Sequence, residues 1–167
     1  MPILQILRFP DPRLRKVAAT VDTFDDALHA LAQDMAETMY AAPGIGLAAT
    51  QVDVCKRLIV IDCSETKDEL IVLVNPELVK SEGAHIVEEG CLSVPGIYDK
   101  VERAEEVMVN YFDLNGNAWN ISANGLLAVC LQHEIEHLTG QIFVDHLSLL
   151  KQDRIKTKMT KQVKKCS

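Results

Sequence analysis

The spacing of apolar residues between positions 25 and 42 is that of an amphipathic helix. Leucine or methionine recurs every three or four residues, at Leu28, Leu31, Met35 and Met39. Side chains with this spacing share one face of an α-helix, and that face can be buried against a core. A proline and a glycine follow at positions 43 and 44, and this pair disfavours continuation of the helix. We therefore expect a helix that ends just before them.

Three shorter segments have the composition of β-strands, with many β-branched residues between polar ends. They are residues 57–62, 70–75 and 106–112. After the third segment, Asn115 and Gly116 predict a hairpin turn into a further strand that contains Trp119 and Ile121. Strands and helices do not alternate regularly, so antiparallel pairing is favoured over parallel pairing.

A second helix is predicted near the C-terminus, and it differs from the first. Residues 125–131 are apolar on nearly every side, as in a helix that is buried all round, and Gly140 is placed to end it. This helix carries the motif HExxH at residues 133–137. The predicted fold class is α+β, with mainly antiparallel sheets around a buried central helix that carries this motif, and with a C-terminal helix.

The HExxH motif predicts a metal centre with hydrolytic chemistry. Because an α-helix has 3.6 residues per turn, His133 and His137 share one face and can bind one ion. Glu134 lies beside them, where it can act as a base toward a water molecule next to the ion. The alternative is a surface helix with two solvated histidines. The apolar residues before the motif favour the buried site, since buried charged groups need compensating partners.

A catalytic site of this type needs a third protein ligand, and the residues after the motif are poor candidates. A third histidine at the usual downstream position is absent, because position 143 is Phe143. A downstream glutamate ligand is absent too, since no glutamate follows Glu136. Asp145 and His146 remain as weaker alternatives.

Two cysteines are further candidates for the third ligand. Cys130 is on the correct face of the helix but lies seven residues from His137, about 10.5 Å along the axis. Cys91 is the better candidate, because residues 88–95 around it form turns with free backbone amides and lack the pattern of a strand. The other internal cysteines are interpreted as ordinary core or surface side chains.

Length and composition predict one cytoplasmic domain over residues 1–167 without a membrane-spanning segment. We expect a monomer, although the sequence itself does not determine the oligomeric state. The five cysteines form an odd set without the spacing of a disulfide scaffold, which suits reduced thiols in a cytosol. No signal peptide or transit peptide is recognisable at the N-terminus. The glycines at positions 44 and 46 follow a helix and lack the phosphate-loop patterns, so nucleotide binding is not expected.

Charge is distributed unevenly along the chain. Residues 151–165 contain seven Lys or Arg and one Asp, a net charge of +6. Because the whole chain has a net charge of −7, the remaining residues together carry −13. The predicted basic C-terminal helix spans residues 150–165. Its apolar stripe would comprise Leu150, Ile155, Met159 and Val163. The helix is interpreted either as a solvated packing helix or as a docking helix for RNA or an acidic partner.

Three segments, taken in order and spacing, resemble the motifs of the peptide deformylases: residues 44–51, 89–93 and 133–137. Residues 10–15 are also similar to that family, so the resemblance covers essentially the whole chain. Two positions depart from the usual pattern. Glu136 replaces a usual aspartate, and Glu102 replaces a proline found in many members.

The resemblance implies a metal-dependent hydrolase that removes the N-terminal formyl group from formyl-methionyl nascent polypeptides and releases formate. Cys91, His133 and His137 would bind Fe²⁺, with Zn²⁺, Ni²⁺ or Co²⁺ able to replace it. The carboxylate of Glu134 would be the catalytic base and acid, and the Leu92 backbone N–H and the Gln51 amide would stabilise the oxyanion.

The resemblance also implies a methionine pocket and a binding partner. The pocket would be lined, in addition to His133, by Ile45, Gly46, Val87, Leu126 and Val129. The basic C-terminal helix would dock the enzyme on the ribosome. Two other classes stay open on sequence: a metallopeptidase with the same motif, and a binding module with a closed structural metal.

Overall fold

The computed structural model describes the backbone of residues 3–166 and the side chains of residues 3–162. Its three α-helices are α1 (Asp26–Ala41), α2 (Gly125–His137) and α3 (Leu149–Cys166). Its seven strands are β1 (Gly46–Ala48), β2 (Leu58–Ile61), β3 (Ile71–Glu82), β4 (His85–Cys91), β5 (Val94–Arg103), β6 (Glu106–Phe112) and β7 (Ala118–Asn124). Short 3₁₀ helices occupy Pro12–Arg15, Ala49–Val52 and Phe143–His146. All strand pairs within the sheets are antiparallel, and the predicted α+β class is confirmed.

The predicted first helix is confirmed as α1. The Asp25 side chain caps it by accepting a hydrogen bond from the Leu28 N–H at 3.0 Å, which satisfies one free donor of the first turn. The helix ends at Ala41, before Pro43. Leu28, Met35 and Met39 are at most 1 % exposed, so the predicted apolar stripe faces the core.

The main sheet has five strands in the order β1-β2-β3-β6-β7, and it lies between α1 and α2. Successive residues of a strand point to opposite faces. Leu58 and Val60 of β2 therefore belong to the core beneath α1, and Ile59 and Ile61 to the core beneath α2. All four side chains are fully buried, so β2 anchors both layers.

The strands differ from the prediction in number and length. The segments 57–62 and 106–112 form β2 and β6, and the predicted hairpin connects β6 to β7. However, β3 continues to Glu82, well beyond residue 75, and β1, β4 and β5 were not predicted. The second half of β3 is exposed and polar, and β4 contains two glutamates and a glycine, so neither has the apolar alternation that marks a strand.

A separate two-stranded sheet, β4-β5, packs against the C-terminal part of the chain. Val94 and Val101 of β5 share a core with Phe143, and with Ile155 and Met159 of α3. The predicted stripe of the basic helix is thus buried at Ile155 and Met159. The prediction that Leu150 belongs to the buried stripe is wrong. This side chain is 60 % exposed, because the helix begins there and has not yet reached the core. The side chain of Val163 lies outside the described residues.

The central helix α2 is buried from its second turn onward, and Gly140 ends it as expected. Gly140 donates its N–H to the His137 carbonyl at 3.1 Å, and Gln141 donates to the Glu136 carbonyl at 3.0 Å. This pair of bonds is the Schellman arrangement, in which the glycine has a positive φ, here 81°. A Cβ atom at Gly140 would lie 2.4 Å from the Arg15 carbonyl oxygen, so the position also requires close backbone approach.

We predict that Gly140→Ala destabilises the protein more than Gly96→Ala does. Gly96 has a similar φ of 79° with nothing within 4 Å of its would-be Cβ atom, so its substitution carries only the conformational cost. The clash at Gly140 should add about 1–3 kcal/mol to the loss in free energy of unfolding, as overpacking does in a dense interior. Urea unfolding of both variants measures the difference. Equal losses would contradict the close approach to Arg15.

Candidate metal and active site

Three potential metal ligands come from two elements that meet in the interior. α2 presents His133 and His137 on one face, and Cys91 is the last residue of β4. The His133 Nε2 and His137 Nε2 atoms are 3.2 Å apart, and the Cys91 Sγ atom is 3.3 Å from His137 Nε2. The donor atoms of all three residues lie within 4.8 Å of one another. The prediction that turns surround Cys91 on both sides was wrong. Cys91 is the last residue of a strand, and the turn begins only after it.

These distances fit a tetrahedral metal centre. With metal–nitrogen bonds near 2.05 Å and a metal–sulfur bond near 2.3 Å, neighbouring ligand atoms should be about 3.3–3.6 Å apart. The observed 3.2 and 3.3 Å are shorter than these separations by no more than about 0.3 Å. Burial lowers the pKa of His137 well below its usual value, so its imidazole is neutral and can bind an ion.

The alternative ligands lie elsewhere or have other partners. Asp145 pairs with Arg15 through contacts of 2.6 and 3.0 Å, and His146 pairs with Glu136 at 2.8 Å. Cys130 points its sulfur toward Cys63. Within the described residues the cluster contains three donors, so a closed structural site with a fourth protein ligand is not supported.

A buried charge network behind the ligands was missed by the sequence reasoning. The Glu89 carboxylate accepts hydrogen bonds from His133 Nδ1 at 2.8 Å and from Arg103 Nη2 at 2.8 Å, and also contacts Arg103 Nε. Burial raises the pKa of Glu89, but these bonds outweigh it and lower the pKa to about 2. Two adjacent glutamates beside a candidate ligand, at 88 and 89, were the available signal. With Glu89 on Nδ1, the Nε2 atom of His133 is left to face the ion.

The two departures from the family pattern lie near this network. Glu136 accepts a bond from Arg103 Nη1 at 2.7 Å and also contacts His146 Nε2 at 2.8 Å. The longer glutamate thereby bridges the buried arginine and a half-exposed histidine. Glu102 is exposed in β5, opposite Ile86 of β4, and it contacts neither the ligands nor the network.

Glu134 lies next to the ligands in a confined position. Its side chain is buried, and its Oε1 atom has no hydrogen-bond partner among the described residues. Burial raises its pKa to about 7, although a cation bound beside it would favour the carboxylate. A Cβ atom at Gly46 would be 2.5 Å from Glu134 Oε2, so only glycine leaves room for the carboxylate there. A carboxyl group with a pKa near neutrality suits general base catalysis.

Gln51 and Leu92 flank the other side of the cluster. Gln51 is buried, accepts the Ala48 N–H at 2.9 Å, and directs its Nε2 atom toward Ser93 Oγ at 3.1 Å and Cys91 Sγ at 3.6 Å. Leu92 follows Cys91 directly, and its side chain packs closely on Gly44. A Cβ atom on Gly44 would be 2.6 Å from a methyl carbon of Leu92. The residues predicted to stabilise an oxyanion are therefore next to the candidate ligands.

A cavity of about 900 Å³ opens onto this cluster. Of the predicted pocket residues, Ile45, Gly46, Leu126 and Val129 line it, together with His133 and Glu134. Val87 does not line it. This residue is paired with Val101 four positions before Cys91 in β4, about 13 Å along the strand, which places it away from the cluster. Cys130, Arg8 and Tyr98 line the cavity but were not predicted.

The fold and the site together define a hydrolase in which a buried HExxH helix supplies two histidines, and a neighbouring strand supplies one cysteine, to a Cys-His-His cluster. The family model for polypeptide deformylase matches residues 3–153. Peptide deformylase 2 of Nitrosomonas europaea is 58 % identical over 99 % of this chain and 89 % of its own length. Peptide deformylase of Chromobacterium violaceum is 56 % identical over 98 % of both chains.

Solved structures agree with this match. A peptide deformylase from Legionella pneumophila has a TM-score of 0.94 at 53 % identity, covering 98 % of this chain and 96 % of its own. Another from Ehrlichia chaffeensis, in complex with actinonin, has a TM-score of 0.92 at 41 % identity over 97 % and 98 % of the two chains. The chain belongs to the peptide deformylase family, and its activity is the hydrolytic removal of N-terminal formyl groups. This excludes a general metallopeptidase. Family membership also implies a catalytic metal ion, which the Cys-His-His cluster can accommodate.

No helix in the described part of the chain is long and apolar enough to cross a membrane.

We predict that Glu89→Gln weakens metal binding about 10–100-fold, the usual effect of losing a carboxylate that orients a ligating histidine. The amide cannot replace the charge that pairs with Arg103 and fixes the His133 tautomer. Competition for Zn²⁺ with a chromophoric chelator measures the affinity. Glu88→Gln is the matched control, because Glu88 is the adjacent glutamate and its side chain is exposed. If both variants bind Zn²⁺ as tightly as the wild-type protein, Glu89 does not orient His133.

Proposed function

We propose that Cys91, His133 and His137 bind one divalent cation at which N-formyl-methionyl nascent peptides are hydrolysed to formate and a free amine. The main observation that supports this proposal is that the ligand atoms of these three residues lie within 4.8 Å of one another, beside the buried Glu134 carboxylate. When bound, the cation supplies a Lewis acid that makes water nucleophilic at neutral pH. The interior position of the cluster strengthens each electrostatic contact there.

Glu134 is the proposed base and acid of the reaction. Its carboxylate takes a proton from the attacking water, and the same proton is then delivered to the departing amine nitrogen. Burial raises the pKa of this carboxyl group above its usual value, and its Oε1 atom has no hydrogen-bond partner among the described residues, so it is available to accept a proton. Gly46 holds the backbone of β1 in close contact with this carboxylate and so confines it beside the candidate ligands.

The Gln51 amide and the Leu92 backbone N–H are the proposed oxyanion donors. The formyl oxygen gains negative charge when the carbon becomes tetrahedral, and donors already in place stabilise that charge. Gln51 is held by the Ala48 N–H on its carbonyl side, and its Nε2 atom lies 3.1 Å from Ser93 Oγ and 3.6 Å from Cys91 Sγ. The amide is thus fixed beside the candidate ligands, where one of its N–H groups would turn to the oxyanion.

Selectivity for methionine is proposed to come from the apolar wall of the cavity. Ile45, Leu126 and Val129 line it together with the backbone at Gly46, and they would contact the methionine side chain. Leu126 is 54 % exposed, so it lies at the rim and would be covered by bound substrate. A formyl group is small, so a narrow site beside the candidate ligands would exclude larger acyl groups.

The native ion is proposed to be Fe²⁺, with Zn²⁺, Ni²⁺ or Co²⁺ as substitutes. One thiolate and two imidazoles suit these ions better than Mg²⁺ or Ca²⁺. We also propose that residues 1–167 act as one cytoplasmic, monomeric catalytic domain. The free thiols of Cys55, Cys63, Cys91 and Cys130 are consistent with a reducing compartment.

We predict that Glu134→Gln binds Zn²⁺ at full occupancy yet loses formate release by at least about 100-fold, the lower range for a general base. The amide preserves the shape of the side chain but cannot take the proton from water. Formate release and metal content are measured on the same sample. Glu105→Gln, an exposed substitution outside the site, serves as the control. Activity of Glu134→Gln within a few-fold of wild type would remove this residue from the role of base.

The basic helix α3 is proposed to dock the enzyme on ribosomal RNA near the emerging chain. Its Lys156, Lys158 and Lys161 side chains are exposed, while Ile155 and Met159 pack into the core. The body of the chain carries −13 and should be repelled by RNA, so attraction has to come from this helix. Removing the whole helix would uncover the core, so the test has to change charge and leave the helix in place.

We predict that the triple variant Lys156→Gln, Lys158→Gln and Lys161→Gln loses ribosome co-sedimentation but keeps turnover of a short formyl-methionyl peptide. Each phosphate contact that is lost should also reduce the salt dependence of binding. The matched control replaces three exposed lysines outside α3, Lys56, Lys67 and Lys100, with glutamine. Equal loss of co-sedimentation in the two triple variants would indicate non-specific attraction and contradict docking through α3.

A further inference from the structure

Two cysteines outside the metal cluster bring their thiols together from distant parts of the chain. Cys63 lies two residues beyond the end of β2, and Cys130 lies in α2. Their sulfur atoms are 3.5 Å apart although 67 positions separate them in sequence. The catalytic chemistry uses neither thiol.

The two thiols have different surroundings, and the difference gives them separate chemical roles. Cys130 is 6 % exposed and lines the substrate cavity, whereas Cys63 is half-buried at the end of a strand. The contact with Cys130 lowers the pKa of the Cys63 thiol. Cys63 is thus the accessible thiol with the larger thiolate fraction, and a thiolate is the form that reacts with oxidants.

We propose that Cys63 and Cys130 are a modification site at which a peroxide forms an intramolecular disulfide. The Cys63 thiolate attacks one peroxide oxygen, the O–O bond breaks, and hydroxide leaves, which gives a sulfenic acid at Cys63. The Cys130 sulfur then attacks the Cys63 sulfur, and the hydroxyl group leaves as water with the thiol proton. In total two thiols and hydrogen peroxide give one disulfide and two water molecules. Both sulfur atoms are oxidised, and the peroxide is reduced by two electrons.

The bond requires a short approach of the two sulfur atoms. A disulfide has an S–S length of about 2.05 Å, so the sulfur atoms need to approach by roughly 1.5 Å. The Cys130 backbone is held within α2, and the Asp62 carboxylate next to Cys63 accepts hydrogen bonds from Ser64, so the approach would come mainly from rotation of the Cys63 side chain. The bond would tie the helix that carries His133 and His137 to the segment that follows strand β2.

The other described thiols have no such partner. Cys55 is exposed, and its sulfur contacts the Val17 carbonyl oxygen at 3.0 Å. Cys91 contacts His137 in the candidate metal cluster, where a bound ion would hold the thiolate. Selective oxidation should therefore distinguish the Cys63–Cys130 pair from both.

The experiment uses the full chain loaded with Zn²⁺, because this ion is redox-inert and occupies Cys91. The protein is treated with hydrogen peroxide, remaining thiols are alkylated, and proteolytic peptides are analysed by mass spectrometry. We expect one cross-linked peptide pair that contains Cys63 and Cys130, the loss of two of the five thiols, and full recovery of both with dithiothreitol. The cross-link in the wild-type protein is the primary readout, so the result does not depend on how any variant folds.

Variants then assign the cross-link. Cys55→Ala should form it as the wild-type protein does, whereas Cys63→Ala should not and should leave Cys130 as a free thiol. The proposal is overturned if Cys63 and Cys130 both remain alkylatable while Cys55 or Cys91 is oxidised. It is also overturned if Cys63 passes directly to sulfinic acid, or if the cross-links found join separate chains.

Discussion

The structure depends on the burial of charged groups along one side of α2. His133, Glu134 and His137 are each at most 8 % exposed, in a position where an unpaired charge costs several kcal/mol. Two forms of compensation are built around them. Glu89 and Arg103 neutralise one another and hold His133 from behind, while Cys91 completes a donor set for a cation in front. The catalytic site is thus the part of the core that needs an ion.

Close backbone approach is the second constraint, because the ligands come from elements far apart in sequence. Gly46 leaves space for the Glu134 carboxylate, Gly44 leaves space for Leu92, and Gly140 lets the chain after α2 pass beside Arg15. At each of these positions a methyl group would meet another atom at 2.4–2.6 Å. The glycines therefore position reacting groups through the absence of a side chain, and their effect on catalysis is indirect.

Much of this arrangement could be predicted from sequence, and the failures have physical causes. α1, α2 and the β6-β7 hairpin follow from spacing and turn residues, since each has one strong local signal. β4 and β5 have none: the one buried residue of β4 is the charged Glu89, which pairs with a buried arginine, and this reverses the usual pattern. The same pairing hid Glu89 and Arg103 as members of the site, because partners contributed by different elements are not visible in a local motif. Leu150 was misplaced for a related reason, as periodicity gives the face of an element but not where its neighbour ends. Val87 was assigned to the pocket by resemblance, and it does not line the cavity.

The central claim is that Cys91, supplied from outside the helix, is the third ligand of the metal centre. Transition-metal content per chain, measured after anaerobic purification of wild type, Cys91→Ala and Cys130→Ala, tests this directly. The account predicts one ion per chain, iron, in the wild-type protein and in Cys130→Ala, and almost no bound metal in Cys91→Ala, because two imidazoles alone hold a divalent ion weakly. Full metal content in Cys91→Ala together with its loss in Cys130→Ala would contradict the account.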